Sequence, residues 1–242
     1  MKGLMIELYS TTASFRDPGG QLYHDSLPIP PPSTLVGIAG AAIGLPYDEA
    51  LKWIKENSVL IGCSGESNGS GRDLWNYIKI KSDRKDEAVT HAIILRTFVY
   101  KLKVYVYFAC DNEEAVRKLF KAFKTPAFAI TLGTSDEIAV IKKVLFFEEV
   151  TFDKRSDLIN TWLAGDFSKK FRLDWNMVKE NLKISLRAPI VKNLPVDFEF
   201  DASQVRKATK YIPITFLGEM QILEDSVEVV RFGGNYIPLL KL

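Results

Sequence analysis

Residues 23–45, reading YHDSLPIPPPSTLVGIAGAAIGL, constrain the fold more than any other part of the sequence. A proline run leads directly into a segment rich in glycine and alanine. Each proline fixes φ at about −65°, and Pro31 precedes another proline, so a helix begins no earlier than Pro32 or Ser33. Each glycine in a helix interior costs about 1 kcal/mol relative to alanine. The glycines of this helix are Gly37, Gly40 and Gly44. Another surface must approach the helix closely, and the residues leave open a sheet face, a neighbouring subunit or a sugar-phosphate backbone.

The composition is that of a globular protein, because 47% of the 242 residues are hydrophobic and 26% are charged. No apolar run reaches the roughly 18 residues that a membrane span needs, and the N-terminus lacks the layout of a secretory signal. We therefore expect a cytoplasmic protein with no membrane partner. Cys63 and Cys110 lack metal-ligand spacing and are expected to be buried free thiols, and no metal or other cofactor is predicted.

The net charge of +2 is too small to indicate nucleic acid, but the charge is unevenly distributed. Between positions 72 and 103, eight Lys and Arg residues stand against four Asp and Glu residues, with Trp75, Tyr77 and Tyr100 among them. Cations that meet phosphates and rings that stack on bases suit single-stranded nucleic acid. A solvated strand pair with extended lysines has the same composition, so both interpretations stay open.

The spacing of apolar residues predicts an α+β fold. Alternation in residues 4–9 indicates a first strand, and spacing at i, i+3, i+4 and i+7 in residues 116–123 indicates an amphipathic helix. The order strand, helix, strand, hairpin insertion, strand, helix, strand is the ferredoxin-like arrangement, which is also that of RNA-recognition (RRM) domains. We predict a mobile loop or hairpin tip at residues 64–71. The other predicted elements are a short helix at Tyr47–Glu56 and strands at residues 59–63, 74–81, 92–108 and 127–132.

The predicted strand at residues 92–108 has two different faces. Leu102, Val104, Val106 and Phe108 lie on one face and are expected in the core. The other face is cationic and aromatic, and either stacks bases or is covered by a second domain. It carries Lys101, Lys103, Tyr105 and Tyr107.

The pattern changes from residue 141 onward to strand-like runs broken by polar and proline segments. These runs are predicted at residues 144–152, 183–187, 210–217 and 227–232. We therefore divide the chain into a ferredoxin-like domain, residues 1–150, and a smaller β-rich C-terminal lobe, residues 151–242.

Several segments together resemble the CRISPR-associated Cas-five family of the RAMP superfamily. They are Phe15-Arg16, SLPIPPPSTLVGIAGAAIGL, the strand ILRTFVYKLKVYVYF, the helix containing residues 119–123, and KTPAFAITLGTSDEIAVI. The resemblance covers roughly residues 1–150 in order and spacing, and is most specific in the proline-to-glycine segment and in residues 132–136. The C-terminal lobe matches only in general character.

This resemblance implies a subunit of a type I Cascade interference complex, most similar to the I-A and I-B branches, acting in antiviral defence. Such subunits bind and cap the 5′ handle of CRISPR RNA. They contact the Cas-seven backbone subunit and a large subunit, and they meet target DNA only indirectly. The family's ferredoxin-like domain carries an inserted β-hairpin thumb, which corresponds here to about residues 64–94.

The resemblance also implies RNA-binding roles for particular residues. Cations would pair with phosphates, aromatic rings would stack or act as wedges, and Arg16 and Ser33 would donate hydrogen bonds to the handle. His24 would anchor the first loop or contact RNA. The cations are Arg72, Lys79, Lys81, Arg96 and Lys101, and the rings are Phe15, Trp75 and Tyr77. We expect the small face of the glycine-rich helix to pack on the domain's own sheet, and RNA to approach near Ser33.

The alternative function is a metal-independent endoribonuclease that processes precursor CRISPR RNA, as members of the I-C branch do. Such cleavage needs titratable groups beside the ribose 2′-hydroxyl. The chain has only His24 and His91, and the lysine that adjoins the histidine in that branch is absent here. We therefore predict no catalytic residues. No Walker lysine, G-x-S-x-G elbow or H-E-x-x-H motif supports a small-molecule enzyme.

Overall fold

The structure is a computed structural model that describes residues 1–20, 23–79, 90–180, 188–201 and 205–242, with side chains omitted from the description at 77–79 and 90–92. In chain order these residues form β1 (Lys2–Ala13), α1 (Pro32–Ile43), α2 (Tyr47–Glu56), β2 (Leu60–Glu66), β3 (Ser70–Lys79), β4 (Thr90–Cys110), α3 (Glu113–Lys124), β5 (Val140–Phe147), β6 (Thr151–Arg155), β7 (Trp162–Ala164), β8 (Phe171–Leu173), α4 (Trp175–Glu180), β9 (Ile190–Phe200), β10 (Arg206–Phe216), β11 (Gln221–Leu223), β12 (Val227–Phe232) and β13 (Asn235–Ile237). The fold is mixed α+β and rich in sheet, as predicted. None of the helices in these ranges is long and apolar enough to cross a bilayer.

The main sheet has the strand order β2-β4-β1-β5, and β3 adds to the far part of β4. Every pair is antiparallel, and β1 runs beside β4 from Lys2↔Cys110 to Ala13↔Val99. The strand predicted at residues 127–132 is wrong. The amides of Ala127 and Phe128 donate to carbonyls at the end of α1, so this segment cannot form a strand ladder. The fourth strand of the sheet is β5 instead.

The proline-to-glycine segment folds as its residues require. α1 begins at Pro32 after an extended Pro31, and Gly44 ends it with a φ of 88°. The predicted packing of its small face on the sheet is wrong. A Cβ at Gly40 would lie 2.9 Å from the Cβ of Ala50 in α2, whereas a Cβ at Gly37 would meet nothing closer than 4.0 Å. The close approach is therefore between α1 and α2.

The two faces of β4 have the environments that alternation predicts. Leu102, Val104, Val106 and Phe108 are fully buried in the main core, which also contains apolar residues of all three longer helices. On the other face, Tyr107 is buried against Phe232 of β12, with ring centroids 4.9 Å apart. The second face is thus partly covered by the C-terminal strands, and the remaining part opens into a cleft of about 570 Å³.

The C-terminal residues form small antiparallel sheets, β7-β10-β9, β11-β8 and β13-β12-β6. The strand predicted at 227–232 has the observed bounds of β12, and the run predicted at 144–152 divides between β5 and β6. The strand predicted at 183–187 lies outside the described residues. Trp162 joins the main core, and its indole N–H donates to the carbonyl of Pro30 at 2.9 Å. The division of the chain at residue 150 stays a prediction.

The glycine- and serine-rich segment at residues 64–71 lies at the base of the β3–β4 pair. Residues 64–66 complete β2, and Ser70 and Gly71 begin β3. The expectation of a hairpin tip here is therefore wrong, because these residues supply pairing backbone on both sides of a short turn. The residues that join β3 to β4, including the predicted turn at 82–87, lie outside the described ranges.

Candidate nucleic-acid interface

The β3–β4 pair forms an arm, which we define as Ser70–Lys79 of β3 with residues 90–99 of β4. Residues opposite each other share a face, so Leu74 and Leu95 lie together, and Asp73 and Arg96 lie on the reverse face. The first face is open: Leu74 is 73% exposed and Ile93 is 70% exposed. The reverse face is held against the first loop. The arm therefore has one free aliphatic face and one anchored polar face.

Four of the predicted site residues meet at the base of this anchored face. The His24 and Trp75 rings make an edge contact with centroids 5.6 Å apart, and the Arg96 guanidinium carbon lies 5.4 Å from the Trp75 centroid. Partial burial, with the neighbouring charges of Arg16 and Arg96, lowers the pKa of His24. Arg16 itself is exposed. Trp75 stays 37% exposed, so part of its ring is open to a ligand.

Arg96 does not present a free charge for a phosphate, contrary to the sequence-based expectation. Only 9% of the residue is exposed. Its Nε donates to Asp73 Oδ1 at 3.2 Å and its Nη2 donates to Asp73 Oδ2 at 2.8 Å. These hydrogen bonds hold the pKa of Asp73 below its usual range and raise the pKa of Arg96. The guanidinium is therefore already occupied by a carboxylate.

Phe15 is also placed differently from the expectation that it stacks on a base. Its residue is 2% exposed and belongs to the main core. Its backbone N–H donates to Ser26 Oγ at 2.9 Å, and its carbonyl accepts from the Leu27 N–H at 2.8 Å. Phe15 thus anchors the loop that displays Arg16.

Two of the predicted cations lie on open surface near the arm. Arg72 is exposed and shares the face of Leu74. Lys101 is exposed where the partner of β4 changes from β2 to β3, and its φ of 50° is in the left-handed region. Its Nζ lies 5.3 Å from the Tyr100 ring centroid. Both cations are positioned to meet an anion from solvent.

Ser33 lies apart from these residues, in the first turn of α1. It lines a cleft of about 290 Å³ together with Thr34, Tyr47 and Arg206. The Arg206 guanidinium lies 4.8 Å from the Tyr47 ring centroid and 4.5 Å from that of Phe198. Burial raises the pKa of Tyr47 to about 12, so its hydroxyl stays protonated. Sequence reasoning missed Arg206, because it is more than a hundred residues from Ser33 in the chain.

The remaining predicted residues cannot be placed. Lys81 lies outside the described residues, and the side chains of Tyr77, Lys79 and His91 are also outside the description. Their roles stay predictions.

Sequence reasoning also missed the partners of Arg96. Asp73 stands directly across from it in the β3–β4 register. Arg96 Nη1 donates to Thr134 Oγ1 at 3.2 Å, and Asp136 Oδ2 lies 3.8 Å from Nη2. Thr134 and Asp136 belong to the LGTSDE segment, which the sequence singled out without a role. No local sequence signal pointed to these contacts, because they depend on the register of β3 against β4 and on the position of the 133–137 turn.

The family described as CRISPR-associated protein (Cas_Cas5) matches residues 3–206 of the chain. A CRISPR protein from Archaeoglobus fulgidus is similar in structure, with 14% identity, full coverage of both chains and a TM-score of 0.54. A chain of a CRISPR RNA-guided surveillance complex has 14% identity over 92% of this chain and 90% of its own, with a TM-score of 0.52.

Another solved structure, described only as a Cas protein, has 19% identity and a TM-score of 0.37. That match spans 55% of this chain and little more than half, 57%, of the other. No curated protein sequence matches. Because the family match extends over most of its length, the chain belongs to the CRISPR-associated protein (Cas_Cas5) family.

Proposed function

We propose that this protein binds and caps the 5′ handle of CRISPR RNA and helps to assemble a type I interference complex, without making or breaking a bond. Membership of the CRISPR-associated family is the observation that carries the proposal. The similarity to a chain of an RNA-guided surveillance complex supports it at the level of the fold. The proposed partners are the Cas-seven backbone subunit, the large subunit and, indirectly, target DNA.

We also propose that the main sheet is a ferredoxin-like domain and that the arm is its thumb. The strand order β2-β4-β1-β5, with α1 and α2 after β1 and α3 after β4, supports this assignment. In a split βαβ arrangement the third strand lies between the first two, as β4 does here. The arm is then an extension between the second and third strands of that domain.

The proposed RNA contacts are the open cations around the arm base. Arg16, Arg72 and Lys101 are exposed, so their charges are available to phosphates of a single strand. The exposed part of Trp75 offers a surface on which a base can stack. Ser33, at the first turn of α1, is a further hydrogen-bond donor. Affinity that rests on phosphate contacts falls with salt.

The free aliphatic face of the arm supports a protein contact in addition to the RNA contact. Leu74, Ile93 and Leu95 form an apolar group on this face, and the one cation described beside it, Arg72, lies nearer the base of the arm. Apolar surface of this kind is more consistent with a neighbouring subunit than with solvent. We propose that the backbone subunit covers it in the assembled complex.

The test is a binding and cleavage experiment on purified protein with labelled guide RNA, repeat RNA and an RNA with a scrambled handle. We expect retention of handle RNA without products, and weaker binding of the scrambled RNA. Equal affinity for both would exclude handle recognition. Specific cleavage of the repeat that is lost in His24→Ala or His91→Ala would establish the ribonuclease alternative instead.

A pair of matched variants locates the RNA site. Lys101→Ala should lower handle affinity and reduce the slope of log affinity against log salt by about 0.7, the value for one phosphate contact on a single strand. Lys118→Ala removes an equal charge from the exposed surface of α3 and should change neither quantity. Equal effects of the two variants would show that binding there is a general charge effect.

A further inference from the structure

Among the described residues, few groups attach the arm to the rest of the molecule. An isolated two-stranded pair is only marginally stable in water. The pairing of β4 with β1 ends at Val99, so residues 90–98 of β4 do not pair with β1. Within the described residues, the arm edge of β4 meets the backbone of His24, which donates to the Leu95 carbonyl at 3.1 Å and accepts from the Thr97 N–H at 2.7 Å. Arg96 lies between these two contacts.

The Arg96 guanidinium makes contacts both inside the arm and outside it. Inside the arm it holds Asp73 of β3 through two parallel hydrogen bonds, and outside the arm it donates to Thr134 in the turn that follows Gly133. Glu137 holds this turn in place. It is 1% exposed, and its carboxylate accepts hydrogen bonds from Ser14 Oγ at 2.6 Å and from the Thr134 N–H at 2.8 Å. Arg96 therefore links the arm to the 133–137 turn, and Glu137 links that turn to Ser14 at the end of β1.

We propose that Arg96 is a positioning residue, which fixes the direction of the arm relative to the sheet and does not itself contact RNA. The planar guanidinium presents donors on several sides at fixed angles, so it can grip Asp73 and Thr134 together. A lysine ammonium lacks this planar set of donors, so it cannot hold both partners in the same geometry. The consequence for RNA binding rests on the function proposed above, whereas the consequence for arm direction does not.

The Asp73→Asn variant distinguishes a positioning role of Arg96 from a direct contact with RNA, because the two roles predict opposite changes in RNA affinity. If Arg96 bound a phosphate, Asp73→Asn would release the guanidinium and tighten RNA binding. If Arg96 positions the arm, the same change breaks the fork and weakens binding, by about tenfold for a lost charged hydrogen-bond pair. Arg96→Gln and Arg96→Lys should weaken binding to a similar extent, although the second retains the charge.

Glu66→Gln is the matched control for this measurement. It also removes a carboxylate paired with a β4 cation, since Glu66 Oε1 lies 3.8 Å from Lys103 Nζ. That pair spans β2 and β4 inside the sheet and does not support the arm. The loss of a negative charge should leave RNA binding unchanged or slightly tighter.

Arm direction is measured without RNA by the distance between two spin labels. Cysteines at the exposed positions Asn76, on the arm, and Lys118, on α3, take the labels, because Cys63 and Cys110 are buried. We expect the distance distribution to widen at least about twofold in Arg96→Lys, Arg96→Gln and Asp73→Asn, since the arm loses its fixed attachment. Glu66→Gln should keep the original width.

The outcomes decide between the possibilities. Wider distributions in the fork variants, with far-UV circular dichroism unchanged, support the positioning role. An unchanged distribution in all three fork variants, or tighter RNA binding in Asp73→Asn, overturns it. If the unsubstituted protein fails to bind handle RNA while the distributions still widen, the proposed function fails and the positioning role stands.

Discussion

The two halves of β4 belong to one continuous strand but have opposite surroundings. Residues 102–110 have β1 on one side and, over most of their length, β2 on the other. Residues 90–98 pair along their length with β3, and their other edge bonds to the backbone of His24 at Leu95 and Thr97. One shared face of β4 shows the difference: Tyr107 is 2% exposed, whereas Leu95 is 42% exposed. Alternation is present in both halves, so burial here is decided by the neighbouring elements.

The two halves are also held by different forces. The core half is stabilised by removal of apolar surface from water, which involves no titrating group. The arm half is attached by the hydrogen bond from Arg96 to Thr134, by backbone hydrogen bonds to the first loop and by an edge contact between the His24 and Trp75 rings. Such attachments contribute little to global stability but fix direction. The arm is therefore the part of this fold in which position can be changed without unfolding.

Leu102→Ala tests the core half and should have the largest effect. A fully buried leucine truncated to alanine costs about 2–5 kcal/mol, because transfer energy is lost and a cavity remains. Urea denaturation at neutral pH measures this loss. A cost below about 1 kcal/mol would show that the core half is no better packed than the arm.

Gly40→Ala tests the helical layer over the core half. Its Cβ would lie 2.9 Å from Ala50 Cβ and 3.0 Å from the Leu45 carbonyl oxygen, and such overpacking costs about 1–3 kcal/mol. Gly37→Ala is the matched control. Its Cβ would have open space, so the free energy of unfolding should rise by up to about 1 kcal/mol, because alanine has the higher helix propensity. If the two variants were destabilised equally, Gly37 would also have a close neighbour.

Local sequence patterns predicted the elements whose structure depends on their own residues. α1 begins where its prolines allow, and α2 and β12 have the predicted bounds. The segment 127–132 has the apolar residues of a strand but donates its first amides to the distant end of α1. A local pattern of residues does not show that these amides bond to a distant helix end instead of to a neighbouring strand.

The residues of the candidate site were predicted one by one, and their contacts with each other were not. Arg96, Trp75 and His24 were each expected to contact RNA, and the structure brings them into contact with one another. The sequence could not show that Asp73 neutralises Arg96, because this depends on the register of β3 against β4. The sequence also could not show that Arg206 and Ser33 line the same cleft. Both relations arise from tertiary packing.

Acid should weaken the attachment of the arm and leave the core half unaffected. The folded pKa of Asp73 lies below the ordinary aspartate value of 3.8, so its contribution is complete above that value and is lost as the pH falls through the lower folded pKa. Wild type should exceed Asp73→Asn in stability by no more than about 1 kcal/mol at pH 6, as for partly exposed ion pairs, and the difference should be smaller at about pH 3. Urea denaturation of both proteins at the two pH values measures it. A difference that grows towards low pH would contradict the assignment of Asp73 as a stabilising carboxylate.

Leu74→Ala tests the free face of the arm and should have the smallest effect. Leu74 is 73% exposed in the isolated chain, so truncation removes little buried surface and should change the free energy of unfolding by less than about 0.5 kcal/mol. The same urea measurement as for Leu102→Ala provides the comparison. A loss above about 2 kcal/mol would mean that another part of the chain covers this face, and the arm would then resemble the core half. A small loss leaves Leu74, Ile93 and Leu95 as apolar surface that the fold itself does not use, which is the property that a partner subunit requires.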